Sequence, residues 1–149
     1  MMKKILLISS SGGHWVQMNR LLPALQKHDL YFACTDKTYH QNVKAKHFYH
    51  VVEASQTDKF KLILQAITVL YVLIRLRPEV IITTGAAPGF FALLFGKKMG
   101  AKTIWMDSIA NVNELSLAGR KAARYADVYL TQWAHLANEN GPEYCGAVI

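Results

Sequence analysis

Acidic side chains are scarce. Ten Asp and Glu stand against 17 Lys and Arg, which leaves a net charge of +7 over 149 residues. Charged residues of both signs make up only 18%, while apolar residues make up 52%. That balance excludes a disordered chain and a coiled coil. The basic excess asks for an acidic partner, such as a phosphorylated ligand or membrane headgroups. Nucleic acid is not expected, because the chain has no long basic run and no basic stripe interleaved with aromatics. Its basic residues sit in short pairs near expected element ends, as in Lys3-Lys4, Lys97-Lys98 and Arg120-Lys121. Cysteine is nearly absent. Cys34 and Cys145 lie far apart and lack metal-ligand spacing, so no metal is expected. They fit reduced thiols of a cytosolic protein. Long hydrophobic runs are missing as well. The first ends at Ile8, too soon for the core of a signal peptide. No Walker A sequence occurs. The turn Ser11-Gly12-Gly13-His14-Trp15-Val16 lacks the third glycine of the dinucleotide fingerprint. Asp36 stands where a ribose-binding acid would, but without that register no nicotinamide or flavin cofactor is expected.

What is present is organised around Ser9-Ser10-Ser11-Gly12-Gly13-His14. A short apolar run precedes it, and Val16, Met18, Leu21, Leu22 and Leu25 follow at helical spacing. This is a strand-to-helix turn whose glycines admit close approach of a ligand. The unpaired N–H groups at the start of the helix suit an anion, most often phosphate.

The rest of the chain alternates strand and helix. Strands are expected over residues 5–9, 30–35, 48–52, 80–84, 102–106 and 128–131, with a last one over 145–149. Helices are expected over 14–27, 60–76, 90–99 and from 116 to 125, with a loop or short helix in 37–46 and a short helix in 132–139. Asp58 is placed to cap the helix over 60–76, and Pro78 to stop it. This order predicts one domain over residues 1–149, an α/β doubly wound parallel sheet of Rossmann-like type. Ligands of such sheets bind beyond the carboxyl ends of the strands, at the switch in strand order. The turn at His14, the segment Gly85-Ala86-Ala87-Pro88-Gly89 and the pair Asp107-Ser108 all fall at such ends.

Residues 60–76 form a second informative stretch. Their polar members, Lys61, Gln65, Thr68 and Arg75, fall on one narrow helical stripe, and all the others are apolar. The uninterrupted apolar span is shorter than the roughly 20 residues that cross a bilayer. A surface helix needs an apolar arc of only about 100°, and this one has more. The surplus faces another helix, a second chain or a membrane surface, and Lys59, Lys61, Arg75 and Arg77 suit anionic lipid.

The residue types set the candidate chemistry. A histidine in the turn can exchange a proton, bind phosphate or close the turn by a hydrogen bond. Asp107 can act as a base, hold a sugar hydroxyl or cap the next turn. Arg120 can take phosphate bidentately or lie in solvent.

Ser11-Gly12-Gly13-His14, Thr83-Thr84-Gly85-Ala86-Ala87-Pro88-Gly89, Asp107-Ser108 and Leu115-Ser116-Leu117-Ala118-Gly119-Arg120 together resemble the acceptor-side subunits of split glycosyltransferases. These include the membrane-anchoring subunit of the N-acetylglucosaminyl transferase for dolichol-linked oligosaccharides, and bacterial capsule and exopolysaccharide subunits. Tyr129–Trp133 and the ending Gly146–Ile149 extend the resemblance over nearly the whole chain. It implies the N-terminal half of a GT-B glycosyltransferase, binding a lipid-diphosphate-linked saccharide acceptor at the cytoplasmic face of the membrane. A donor-binding partner chain would supply the nucleotide-sugar site. The family's turn histidine maps to His14 and its strand-end acid, more often Glu, to Asp107, the implied catalytic pair. Substrate contacts are implied for Ser11, Gly12, Gly13, His14, Gly85, Ala86, Ala87, Gly89, Ser108 and Arg120. No long N-terminal anchor like the eukaryotic one is seen, so attachment would rest on residues 60–76. Two other readings remain: a non-catalytic scaffold that recruits the donor-binding chain, and a soluble nucleotide-binding enzyme.

Overall fold

The computed structural model describes residues 1–43 and 47–149. Seven strands form one sheet in the order β3-β2-β1-β4-β5-β6-β7, and every neighbouring pair is parallel. They are β1 (Lys4–Ser9), β2 (Asp29–Cys34), β3 (Phe48–His50), β4 (Val80–Thr83), β5 (Lys102–Met106), β6 (Val128–Thr131) and β7 (Glu143–Tyr144). The helices are α1 (Gly13–Asn19), α2 (Leu22–Leu25), α3 (Lys59–Leu76), α4 (Ala86–Lys98) and α5 (Leu117–Ala122). The strand order reverses between β1 and β4, so the crevice opens where α1 and α4 begin.

The apolar run of β1 follows from burial on both faces. Leu6 and Ile8 point into the core beneath α3, α4 and α5, with Val69, Leu73, Leu93 and Trp105. Ile5 and Leu7 point the other way, against Trp15 and Met18 of α1. α4 lies very close to β4. A Cβ on Gly89 would collide with Thr83 Oγ1, and one on Gly96 would collide with Ile81 Cδ1. Among the implied ligand residues, Gly89 therefore serves the packing of helix on sheet.

Several boundaries differ from expectation. The single helix expected over 14–27 is two, because Pro23 has no N–H to continue the α1 ladder and instead sits in the first turn of α2. α4 starts at Ala86, so most of Gly85–Gly89 is already helix. Of residues 132–139, only Ala134–Leu136 coil, as a 3₁₀ turn. The last strand is Glu143–Tyr144 and not the segment that follows it. Lys37–Gln41 form a 3₁₀ turn, and the end of the expected 37–46 segment lies outside the described residues. Asp36, weighed above as a ribose ligand, caps that turn by accepting from the Thr38 backbone and hydroxyl. The bonds from Thr38 hold its carboxyl below the usual range.

The orientation of α3 is the feature that its pattern left open. Asp58 caps it as expected, accepting from Lys61 N at 3.0 Å. But Gln65, on the polar stripe, is 1% exposed and donates to the Val52 carbonyl at 2.9 Å. Thr68 accepts from Val52 N and donates back to the Gln65 carbonyl. The apolar side chains of Phe60, Ile63, Leu64, Ile67, Tyr71 and Ile74 are exposed instead. Part of the polar stripe thus faces the protein, and an apolar stripe faces out. Among the described residues, no helix is long and apolar enough to cross a membrane.

Candidate functional site

His14 lies in the first turn of α1 beside the β4–α4 junction. Its Nδ1 is 2.9 Å from the Thr84 carbonyl, and the Thr84 hydroxyl donates to the His14 carbonyl at 2.6 Å. A carbonyl only accepts, so Nδ1 carries a proton. In the neutral ring the lone pair is then on Nε2, which makes no hydrogen bond among the described residues. A histidine base needs this arrangement: one nitrogen is tied down, and the other is free to take a proton.

Gly85 makes that placement possible. A Cβ there would lie 2.8 Å from His14 Cε1 and 2.9 Å from Nδ1. Its φ of 131° is also one that side chains oppose. The next residue, Ala86, sits at φ 67°, a left-handed conformation that costs an alanine of order 1 kcal/mol. The strained pair turns the chain sharply from β4 into α4. Among the described residues, no side chain caps the start of α1 or of α4. Around Gly12 and Gly13 a Cβ would meet nothing within 4 Å among the described residues, which leave this side of the crevice open. The Gly12 N–H donates to the Tyr39 hydroxyl, and the Ser11 N–H donates to Thr35 Oγ1, each at 3.2 Å. Both bonds tie the turn to the segment that follows β2.

Asp107 directly follows β5 and is 1% exposed. Its carboxylate accepts from Trp105 Nε1 at 3.0 Å, Ser116 N at 2.9 Å, Ser116 Oγ at 2.5 Å and Asn111 Nδ2 at 3.1 Å. A carboxylate so enclosed and so fully bonded holds the loop 108–116 in place. Of its expected roles the geometry favours the cap over the base. Gly119 closes this cage, since a Cβ there would meet Asp107 Oδ1 at 2.7 Å. The Tyr129 hydroxyl is buried nearby without a partner among the described residues. Burial, and then the Asp107 charge, push its ionisation far above the ordinary tyrosine value.

Ser108 is 6% exposed and belongs to a second buried network. Its hydroxyl accepts from Gln17 Nε2 at 3.1 Å. Gln17 Oε1 accepts from Ile109 N at 3.0 Å and Gln132 Nε2 at 2.6 Å. Gln132 also bonds the Asp107 carbonyl and the Val148 N–H. The network ties α1, which carries His14, to the ends of β5 and β6 and to the segment after β7. Arg120 lies apart from it, half exposed, with Glu114 Oε2 at 3.5 Å. The structure therefore brings Ser11, Gly12, Gly13, His14, Gly85, Ala86 and Ala87 to one crevice. Asp107 and Ser108 lie beneath its rim, and Gly89 lies in the packing. No role was expected for Thr84, Gln17 or Gln132, although Thr84 and Gln132 stand in segments that carry the resemblance. A polar residue inside an apolar helical pattern was the one available signal for Gln17, and nothing in sequence pairs it with a residue 115 positions away.

The pattern of the family described as "Oligosaccharide biosynthesis protein Alg14 like" matches residues 5–148. The chain belongs to this Alg14-like family. No curated protein matches it in sequence. Among solved structures, it is similar to MurG of Acinetobacter baumannii, with a TM-score of 0.76 at 11% identity, covering 94% of this chain and 44% of that one. It is also similar to a UDP-N-acetylglucosamine 2-epimerase from Rickettsia bellii, with a TM-score of 0.69 at 15% identity, covering 99% of this chain and 46% of that one. A glycosyltransferase from Rickettsia africae gives a TM-score of 0.59 at 15% identity, over 89% of this chain and 36% of that one. The Alg14-like chain thus has the Rossmann-like fold of one half of a GT-B enzyme, and it spans less than half the length of these neighbours.

Proposed function

We propose that this chain is the acceptor-side subunit of a two-chain glycosyltransferase. It binds a lipid-diphosphate-linked saccharide at the cytoplasmic face of the membrane and recruits a donor-binding chain that holds the nucleotide-sugar. The observation that carries this reading is the crevice at the β1/β4 switch. There a histidine with a free Nε2 stands beside an open glycine turn, on a fold that is half of a GT-B enzyme. The exposed apolar stripe of α3, flanked by Lys59, Lys61, Arg75 and Arg77, supports the membrane setting.

In this reading the acceptor diphosphate lies against the turn Ser11–Gly13 and the start of α4. His14 Nε2 takes the proton from the acceptor hydroxyl as that oxygen bonds to the sugar carbon, and the nucleotide diphosphate leaves on the partner's side. Thr84 fixes the tautomer and orientation of the ring. Asp107 is a positioning residue that holds the rim loop. Arg120 remains a candidate contact for phosphate or for the partner.

The test is reconstituted transfer. The purified chain, vesicles carrying a lipid-diphosphate saccharide, a nucleotide-sugar and the donor-binding chain are combined, and each protein is omitted in turn. Transfer is expected only with both proteins present. Robust turnover by this chain alone would overturn the two-chain reading.

A further inference from the structure

A cavity of about 270 Å³ lies beside the crevice, between the first turns of α3, α4 and α5. Its apolar wall is formed by Leu62, Phe90, Phe91, Leu117 and Ala118, and it reaches Ala87 in the first turn of α4. Gln56 and Lys121 are its polar members. We infer that this groove holds the part of the acceptor's lipid chain next to the diphosphate. The inference rests on the acceptor-side reading above and assigns the lipid its own site.

Three observations select that occupant. First, the groove is continuous with the crevice: Ala87 lines it, and Gly85, two residues earlier, packs against His14. Second, it reaches the first turn of α3, where Leu62 is partly buried on the side turned toward the protein and its neighbour Ile63 is exposed. The far end of the groove therefore lies at the start of the helix whose outer face carries the apolar stripe. Third, Lys121 adds a cation to a lining that is apolar apart from it and Gln56, which suits an apolar chain attached to an anionic group. The volume suits a chain segment, not a folded domain.

The probes are farnesyl diphosphate and inorganic diphosphate, titrated against the full chain by calorimetry. Farnesyl diphosphate is expected to bind roughly tenfold or more tightly than diphosphate, since each methylene removed from water adds a few-fold in affinity. Ala118→Trp, which fills the groove, is expected to abolish that advantage and leave diphosphate binding unchanged. Leu117→Gln, at a position already 45% exposed, is expected to fold normally and to reduce the advantage. Equal affinities for the two probes, no farnesyl diphosphate binding, or full affinity in folded variants would each overturn the groove. Loss of diphosphate binding alone, with a farnesyl advantage sensitive to both variants, would support the groove and count against the crevice as the diphosphate site.

Discussion

His14 and Asp107 look equivalent as a pair of polar residues at strand ends, but their surroundings separate them. His14 has one nitrogen bonded and the other free, while Asp107 has four donors on a buried carboxylate. His14→Ala is expected to lower turnover by about 10²–10⁴-fold, with little change in melting temperature, because the turn is at the surface end of β1. Asp107→Asn is expected to act mainly on stability. Replacing an acceptor by an amide sets donor against donor in a buried cage, a loss of roughly 1–3 kcal/mol. Reconstituted transfer and thermal melts, run side by side, check both. A stable Asp107→Asn variant with turnover as low as that of His14→Ala would restore Asp107 to the chemistry. The sequence placed both residues at the right sheet edge, because alternating elements put strand ends there. It did not show which of them was enclosed, since Trp105, Asn111 and Ser116 converge on Asp107 only after the loop folds back.

At the level of elements, the sequence showed six of the seven strands and the length of α3 but not its facing. β5 and β6 have the bounds expected of them, and α3 differs by one residue. The polar stripe of α3 does not by itself say which way the helix turns. The loop at Val52 offers an N–H and a carbonyl, and Thr68 and Gln65 meet them, which pulls that stripe inward. The exposed stripe of Phe60, Ile63, Ile67, Tyr71 and Ile74 is larger than the scattered apolar residues of an ordinary surface. Flotation with anionic vesicles tests what it meets. Lys59→Glu with Arg77→Glu is expected to weaken binding by about 2 kcal/mol, roughly 30-fold, at about 1 kcal/mol per basic residue. Ile67→Glu, at a position 57% exposed, should weaken it further without unfolding the chain. Unchanged flotation in all of these folded variants would mean that α3 meets a protein instead.

At the scale of the whole molecule, the two faces of the sheet are unequal. α1 and α2 cover one side, with Trp15 packed on Phe32 and Tyr39. α3, α4 and α5 cover the other, and among the described residues the exposed apolar stripe is on this side. The groove, the crevice and the N-terminal end of α3 all lie toward the carboxyl ends of the strands. A chain seated on a bilayer through α3 would therefore bring its crevice to the lipid surface and keep α1 away from it. The tryptophans report this orientation. Trp15 lies between α1 and the sheet, Trp105 is buried in the core, and Trp133 is tied by its indole N–H to the Ile109 carbonyl at the rim. Quenching by lipids brominated along their acyl chains is expected to be weak for the native chain. Phe60→Trp and Ile67→Trp, both on exposed positions of α3, should add a strongly quenched component. Strong quenching in the native chain that Trp15→Phe removes would place the α1 side on the membrane, and with it would fall the path from bilayer to crevice along α3.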